Sequence, residues 1–363
     1  MLKVLKFTFI YFIFFLALDA SIGKYLYKKY IRVNLQDINT NVWIKDEFYD
    51  HTFIKNYNEL AGWGNIRFKL CTDNNSFKIS CDEKNKNNKI FNIGFIGDSF
   101  TEAVGMNYEE SFVGIISKEL RNKKIANLGV SSYGTSIYYT KIKRLIDTGY
   151  KFDEIIVFLD ISDLIDDTLC YKIENDKIIR RDTFSTCWNN FNIKENAFLN
   201  FYKKNFNFTQ ILTEKIFTIL VSLNVNKHLI DSNVLNTSRS EWTFKYKEEH
   251  FNNKKFEDVR DHSLSIMTEL KKLLDKNSID LSIAVYPHPA TLYYDVRNNR
   301  QKEIWENFCL KNCKNFYNFM NIFFDRFEGN YYQAYKKYYI NDDLHFSFEG
   351  NKLISSEFLL KYF

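Results

Sequence analysis

From about residue 90 the chain alternates short apolar runs with stretches in which apolar residues recur every three or four positions. Phe91 to Ile96 reads as a strand, and Tyr108 to Arg121 as a helix carrying Phe112, Ile115, Ile116 and Leu120 on one side. Lys124 to Leu128 predicts a second strand, Ile137 to Thr148 a second helix, and Glu154 to Leu159 a third strand that is apolar almost throughout. Strands apolar on both faces are covered on both, which predicts a parallel sheet between helices. The alternation stops between about 166 and 255, then resumes with a helix from Phe256 to Leu274, a strand from Leu281 to Tyr286, a helix near Gln301 to Phe308, a short strand near Asn315 to Phe319 and a last helix capped by Ser347. The pattern predicts an α/β fold with a doubly wound, five-stranded parallel sheet and one large insertion at about 166–255. Ligands of such sheets sit beyond the carboxyl ends of the strands.

The first 30 residues read differently. Lys3 and Lys6 precede an apolar run from Phe7 to Leu18, and Lys24, Lys28 and Lys29 follow it. Such a run is an export signal or a membrane anchor. Leu18 fits the small-residue cleavage pattern poorly for a cut after Ala20, which favours a retained anchor. Residues 1–30 are therefore expected to tether a single-pass membrane protein whose catalytic domain lies outside the cytoplasm, on the periplasmic or cell-surface side. Residues 31–89, polar and aromatic, read as an extension packed on the main domain at 90–363, with a turn at Gly62-Trp63-Gly64. Helical spacing within the insertion, at Phe206 to Val225, predicts a helix that packs over the domain or lies on a membrane surface.

Composition removes several classes. With 363 residues, 45% hydrophobic and 18% aromatic, the chain carries enough apolar surface for a full core. Its 50 Lys and Arg residues against 45 acidic ones are dispersed, without a basic helix or an aromatic-basic repeat, which argues against a nucleic-acid surface. Six cysteines fall as sequence-local pairs, Cys71 with Cys81, Cys170 with Cys187 and Cys309 with Cys313. None has the spacing of a zinc ribbon or redox motif; pairs of this kind suit disulfides in an oxidising compartment, with buried free thiols as the alternative. No metal spacing and no Gly-rich phosphate loop occurs, so neither a metal nor another cofactor is expected.

Chemistry enters at residue 97. Gly97-Asp98-Ser99-Phe100-Thr101 follows the first strand directly, so a serine is displayed where a buried strand gives out into a loop. Far along the chain, Asp342-Asp343-Leu344-His345 offers a base with an orienting carboxylate. A serine hydroxyl is a poor nucleophile near neutral pH until an imidazole takes its proton and a carboxylate holds the imidazole in the right tautomer. Between them stand Asn127-Leu128-Gly129-Val130-Ser131-Ser132-Tyr133-Gly134 after the second strand and Asp160-Ile161-Ser162-Asp163 after the third. Four blocks in this order over about residues 91 to 363 resemble the SGNH, or GDSL-like, hydrolase superfamily, whose sheet is flavodoxin-like. With the N-terminal run, the chain resembles its membrane-anchored polysaccharide O-acetyl esterases and transferases.

The resemblance implies Ser99 as nucleophile, His345 as base, and Asp342 or Asp343 as the orienting carboxylate, because family members place it either three or two residues before the histidine. It also implies an oxyanion hole built from the Ser99 and Ser132 amides and the Ser162 hydroxyl. Two positions depart from the pattern: Ser132 stands where a glycine is usual, and Ser162 where an asparagine is usual. His288, in Tyr286-Pro287-His288-Pro289, is expected at the rim of the site, touching substrate or stacked as a structural residue, and Trp242 on an acceptor surface formed by the insertion together with Tyr202, Phe206 and Phe208. The expected function is a serine-dependent esterase or acyltransferase acting on O-acyl, chiefly acetyl, groups of cell-envelope carbohydrate through an acyl-serine intermediate. The alternatives are a lipid esterase or thioesterase at the membrane face, and a catalytically weak glycan-binding component of envelope assembly. The expected partners are acylated carbohydrate and the membrane, not nucleic acid.

Overall fold

The computed structural model describes residues 2–23, 25, 42–64, 66–83, 88–180, 205–206, 208–209, 212, 239–245, 251, 253–327 and 330–362. They belong to two compact units, one of residues 1–38 and 188–230, the other of residues 39–187 and 231–363. Cys187, Tyr202 and most of the helix expected over Phe206 to Val225 lie outside the described residues.

In the first unit, α1 (Leu2–Leu18) is 17 residues long and passes into a π-helical turn at Asp19–Gly23. At about 1.5 Å per residue it measures roughly 25 Å, short of a hydrocarbon core of about 30 Å. Lys3 and Lys6 fall inside it. No helix among the described residues is long and apolar enough to cross a membrane. The expected N-terminal membrane helix is thereby overturned, and with it the membrane as a partner and the single-pass topology. The turn is instead held by the protein's own bonds: the buried Asp19 carboxylate accepts from the backbone amides of Phe208 and Thr209 at 2.9 and 2.7 Å and from the Thr209 hydroxyl at 2.6 Å.

In the second unit, β1 (Trp43–Asp46) and β2 (Asp50–Phe53) form an antiparallel hairpin. β3 (Asn58–Trp63), β4 (Ile66–Thr72) and β5 (Lys78–Ile79) follow, antiparallel to one another. Next come β6 (Ile90–Ile96), α2 (Ser99–Glu102), α3 (Phe112–Glu119), β7 (Ile125–Asn127), α4 (Thr135–Asp147), β8 (Lys151–Leu159) and α5 (Asp163–Leu169). A hairpin of β9 (Tyr171–Glu174) and β10 (Lys177–Arg180) turns at Asn175 and Asp176, whose φ angles of 51° and 61° suit their residue types. Past residue 251 lie α6 (Phe256–Lys276), β11 (Asp280–Val285), α7 (Pro289–Tyr294), α8 (Arg300–Asn312), β12 (Phe316–Asn318), α9 (Met320–Phe327), α10 (Tyr331–Tyr338) and α11 (Phe348–Tyr362).

The main sheet has eight strands in the order β12-β11-β8-β6-β7-β5-β4-β3. β12, β11, β8, β6 and β7 pair parallel, while β5 joins β7 antiparallel through Lys78 and Asn127. The expected all-parallel sheet of five strands is therefore corrected to a mixed sheet of eight. The added strands carry no apolar run: β3 reads Asn-Glu-Leu-Ala-Gly-Trp with its first three residues exposed. Trp63 ends that strand rather than sitting in a turn, and the reversal comes at Gly64, whose φ of 55° favours glycine.

Alternate residues of the parallel strands feed two layers. Ile155, Val157, Leu159, Ile283 and Val285 pack with Ile137 and Ile142 of α4, Met267 and Leu270 of α6 and Trp305 of α8. Ile93, Phe95, Ile156 and Phe158 pack with Phe112 and Ile116 of α3, Phe323 of α9 and Phe358 of α11. From β6 the chain winds to β7 on one side and then to β8 on the other. That divergence opens the crevice beyond the strand ends where such sheets bind ligands. Residue 97 begins there.

Candidate active site

Gly97 allows the chain to leave β6 sharply, since a Cβ at this position would lie 2.2 Å from Thr101 Oγ1 and 2.9 Å from the Phe158 carbonyl oxygen. Asp98 then caps α2 by accepting from the Phe100 amide at 3.0 Å, and Ser99 opens the helix. Its hydroxyl donates to His345 Nε2 at 2.7 Å. On the other side of that ring, Nδ1–H donates to Asp343 Oδ1 at 2.6 Å, and the His345 amide donates to the same oxygen at 2.9 Å. A carboxylate accepts only, so Nδ1 carries the proton and Nε2 is left to accept from the serine. Burial by itself raises Asp343, but the charge and hydrogen bonds of His345, with the Trp63 indole, hold its carboxyl well below the usual range.

Of the two candidate aspartates, the structure brings Asp343 to the histidine. Asp342 occupies the turn with a φ of 59°, and its carboxylate accepts from Asn341 Nδ2 at 2.8 Å. The turn places successive side chains in different directions, so spacing alone does not distinguish them. Asp98, next to the serine, behaves differently again. Burial and the charge of Asp160 push it well above the ordinary carboxylate range. Its contact with the Ser99 hydroxyl is long, 3.2 Å, against 2.7 Å from that hydroxyl to His345.

The loop after β7 is docked on α2. A Cβ on Gly129 would lie 2.7 Å from the Glu102 nitrogen, so only glycine permits this approach. Both the amide and the hydroxyl of Ser131 donate to Glu102 Oε2 at 2.7 Å. The Ser131 carbonyl accepts from His51 Nε2 at 2.7 Å and the Ser132 carbonyl from Tyr171 at 2.8 Å. Ser132 is thus pinned from both sides in a left-handed conformation, φ 63°. Ser162 opens α5; its amide donates to Asp160 at 2.7 Å and its hydroxyl to Asp166 at 3.3 Å.

Of the two readings of His288 the structure shows the stacked, structural one, and Trp242 does not lie on a surface. His288 is 2% exposed, pairs through Nε2 with Asp160 at 2.8 Å and stacks on Phe100. Trp242 is fully buried, with its indole N–H donating 2.9 Å to the Ile161 carbonyl. Both grip the segment from 160 to 162. Residues that sequence reasoning passed over also meet the site. The Lys78 ammonium, fully buried, donates to the carbonyls of Glu102, Ala103 and Met106 at 2.9, 3.0 and 2.8 Å, and burial pushes it down to about 8. Trp63 donates from Nε1 to Asp343 Oδ2 at 2.6 Å. Nothing in a polar, irregular N-terminal segment singles out either residue. Among the described residues no cluster of metal-ligating side chains occurs.

No protein-family model matches the chain, and no curated protein is similar to it in sequence. Solved structures similar to it include the psychrotrophic esterase EstA from Pseudoalteromonas sp., with 11% identity, TM-score 0.38, and coverage of 76% of this chain and 98% of that one. An acetylxylan esterase from Geobacillus stearothermophilus, solved as a catalytic mutant, is 10% identical at TM-score 0.40, over 75% of this chain and 93% of that one. A putative lipolytic protein of the G-D-S-L family from Desulfitobacterium hafniense is 13% identical at TM-score 0.37, over 74% and 97%.

Proposed function

We propose that this chain is a serine-dependent esterase or acyltransferase acting on small O-acyl groups of carbohydrate. The observation that carries the reading is the continuous hydrogen-bonded path from Ser99 through His345 to Asp343. As His345 Nε2 takes the hydroxyl proton, Ser99 Oγ adds to the ester carbonyl and the C=O electrons move onto oxygen. Collapse expels the alcohol, which leaves with the proton returned by His345, and an acyl-Ser99 ester remains. Water or a sugar hydroxyl then attacks that ester by the same route in reverse. In this reading the Ser99 and Ser132 amides receive the developing oxyanion, joined by the Ser162 hydroxyl once it turns from its long contact with Asp166. The serine is only 9% exposed, which suits an acetyl-sized acyl group.

The test uses the full chain beside Ser99→Ala, with p-nitrophenyl acetate, an acetylated glycan and a fluorophosphonate probe. Acetate release and labelling that both vanish with the substitution are expected. Equal background release from the two proteins, with no labelling, would overturn the reading. Binding of glycan without turnover would then favour the glycan-binding alternative, which the commitment of Ser162 to two aspartates motivates.

A further inference from the structure

Asp343 presents two oxygens, and both are held. Oδ1 receives the two N–H groups of His345, while Oδ2 receives the indole N–H of Trp63 at 2.6 Å. The Asp343 side chain is 23% exposed, so without the indole its second oxygen would face water and the carboxylate could rotate away from the imidazole. The Trp63 ring also meets His345 edge to face, with centroids 5.2 Å apart and planes at 90°, while Phe100 supports the same imidazole at 4.8 Å. Trp63 sits at the end of β3, in the antiparallel strands added to the parallel sheet.

We propose that Trp63 is a positioning residue for proton transfer: its indole N–H locks the Asp343 carboxylate and its ring holds the plane of His345, so that the N-terminal strands complete the catalytic site. The proposal rests on the reading of Ser99, His345 and Asp343 given above. A donor on Oδ2 draws charge away from the oxygen that faces the imidazole. Its loss leaves more charge to retain the imidazolium proton, which moves the acid limb of the kcat/KM profile to higher pH.

The experiment compares Trp63→Phe, which keeps a ring but no N–H, with Trp63→His, which keeps a ring N–H, each alone and combined with Asp343→Asn. Trp63→Phe is expected to lower kcat/KM about ten- to a hundredfold, as loss of a hydrogen bond to a charged group does, with little change in KM and with the acid limb displaced upward. Trp63→His should recover part of the loss, and in the Asp343→Asn background Trp63→Phe should cost little more. Wild-type rates and pH profile in Trp63→Phe, or an equal loss with and without Asp343, would overturn the proposal. Indole N–H resonances of the unsubstituted protein give a measurement that needs no folded variant. Of the five tryptophans, one is expected to lie downfield and to shift when Ser99 is phosphonylated, and no shift also overturns it. Wild-type protein inactive in the same assay, with Ser99 unlabelled, would identify failure of the underlying reading instead.

Discussion

At the scale of single residues, the two adjacent aspartates give the sharpest contrast. Asp343→Asn leaves the geometry nearly intact but replaces the acceptor at His345 Nδ1 with a group that can present the wrong tautomer. A fall in kcat of about a thousandfold or more is expected. Asp342→Asn keeps a residue type that tolerates its positive φ and should cost less than about threefold; steady-state kinetics on both variants decides. Asp166 makes a pH prediction. Burial, only partly offset by Arg239, pushes it up to about 6. Between about pH 4 and 6 the folded state therefore holds a proton that the unfolded chain has released, so this group's contribution to stability falls as pH rises through that window and is level above it. Urea midpoints of wild type and Asp166→Asn at pH 4 and pH 7 should show the wild type losing ground to the variant at the higher pH. A constant difference would refute it. Residues of this kind were only half legible beforehand. The serine and histidine stood out because their neighbours form blocks, whereas the choice between Asp342 and Asp343 depended on a left-handed turn that residue spacing does not encode. His288, flanked by two prolines, was legible as a stacked structural residue or a substrate contact, but its pairing with the buried Asp160 was not.

Among the elements, the apolar strands announced themselves, the three-residue β7 and β12 included, and the antiparallel strands with polar residues did not. β6 and β8 are continuous runs buried between helices, so their place in a parallel sheet followed from composition. β3 begins with three exposed residues, β4 exposes Arg67 and Lys69, and the two-residue β5 contributes a fully buried lysine that would ordinarily be assigned to the surface. What lets Lys78 stay buried is tertiary: α2 ends against it with three carbonyls aimed at its ammonium. Lys78→Met takes the ammonium away from the Glu102 and Met106 carbonyls, while the Ala103 carbonyl keeps the Met106 amide at 3.2 Å, and it also removes a buried charge. A net destabilisation of about 2 kcal/mol is expected, with a fall in kcat because α2 carries Ser99 at its other end. Denaturant unfolding and turnover of the same preparation would test both; an unchanged kcat would remove the lysine from any part in placing Ser99.

For the molecule as a whole, the added strands are secured covalently. Cys71 on β4 is bonded to Cys81, and Cys309 to Cys313 beside the end of α8. Cys170 is disulfide-bonded as well. Removing the first bridge as Cys71→Ser with Cys81→Ser frees a ten-residue separation and should cost about 3 kcal/mol by loop entropy. Since the strands it secures carry Lys78 and Trp63, activity should be lost at a lower temperature than in the parent protein, which a thermal inactivation series would show. Finally, the bond from Ser99 to His345 closes a separation of 246 residues. During synthesis the serine emerges early and its base late. A nascent chain that already holds β6, β7 and β8 therefore presents Ser99 without its histidine, and the proposed site is complete only when the loop of Asp343 and His345 folds back onto α2.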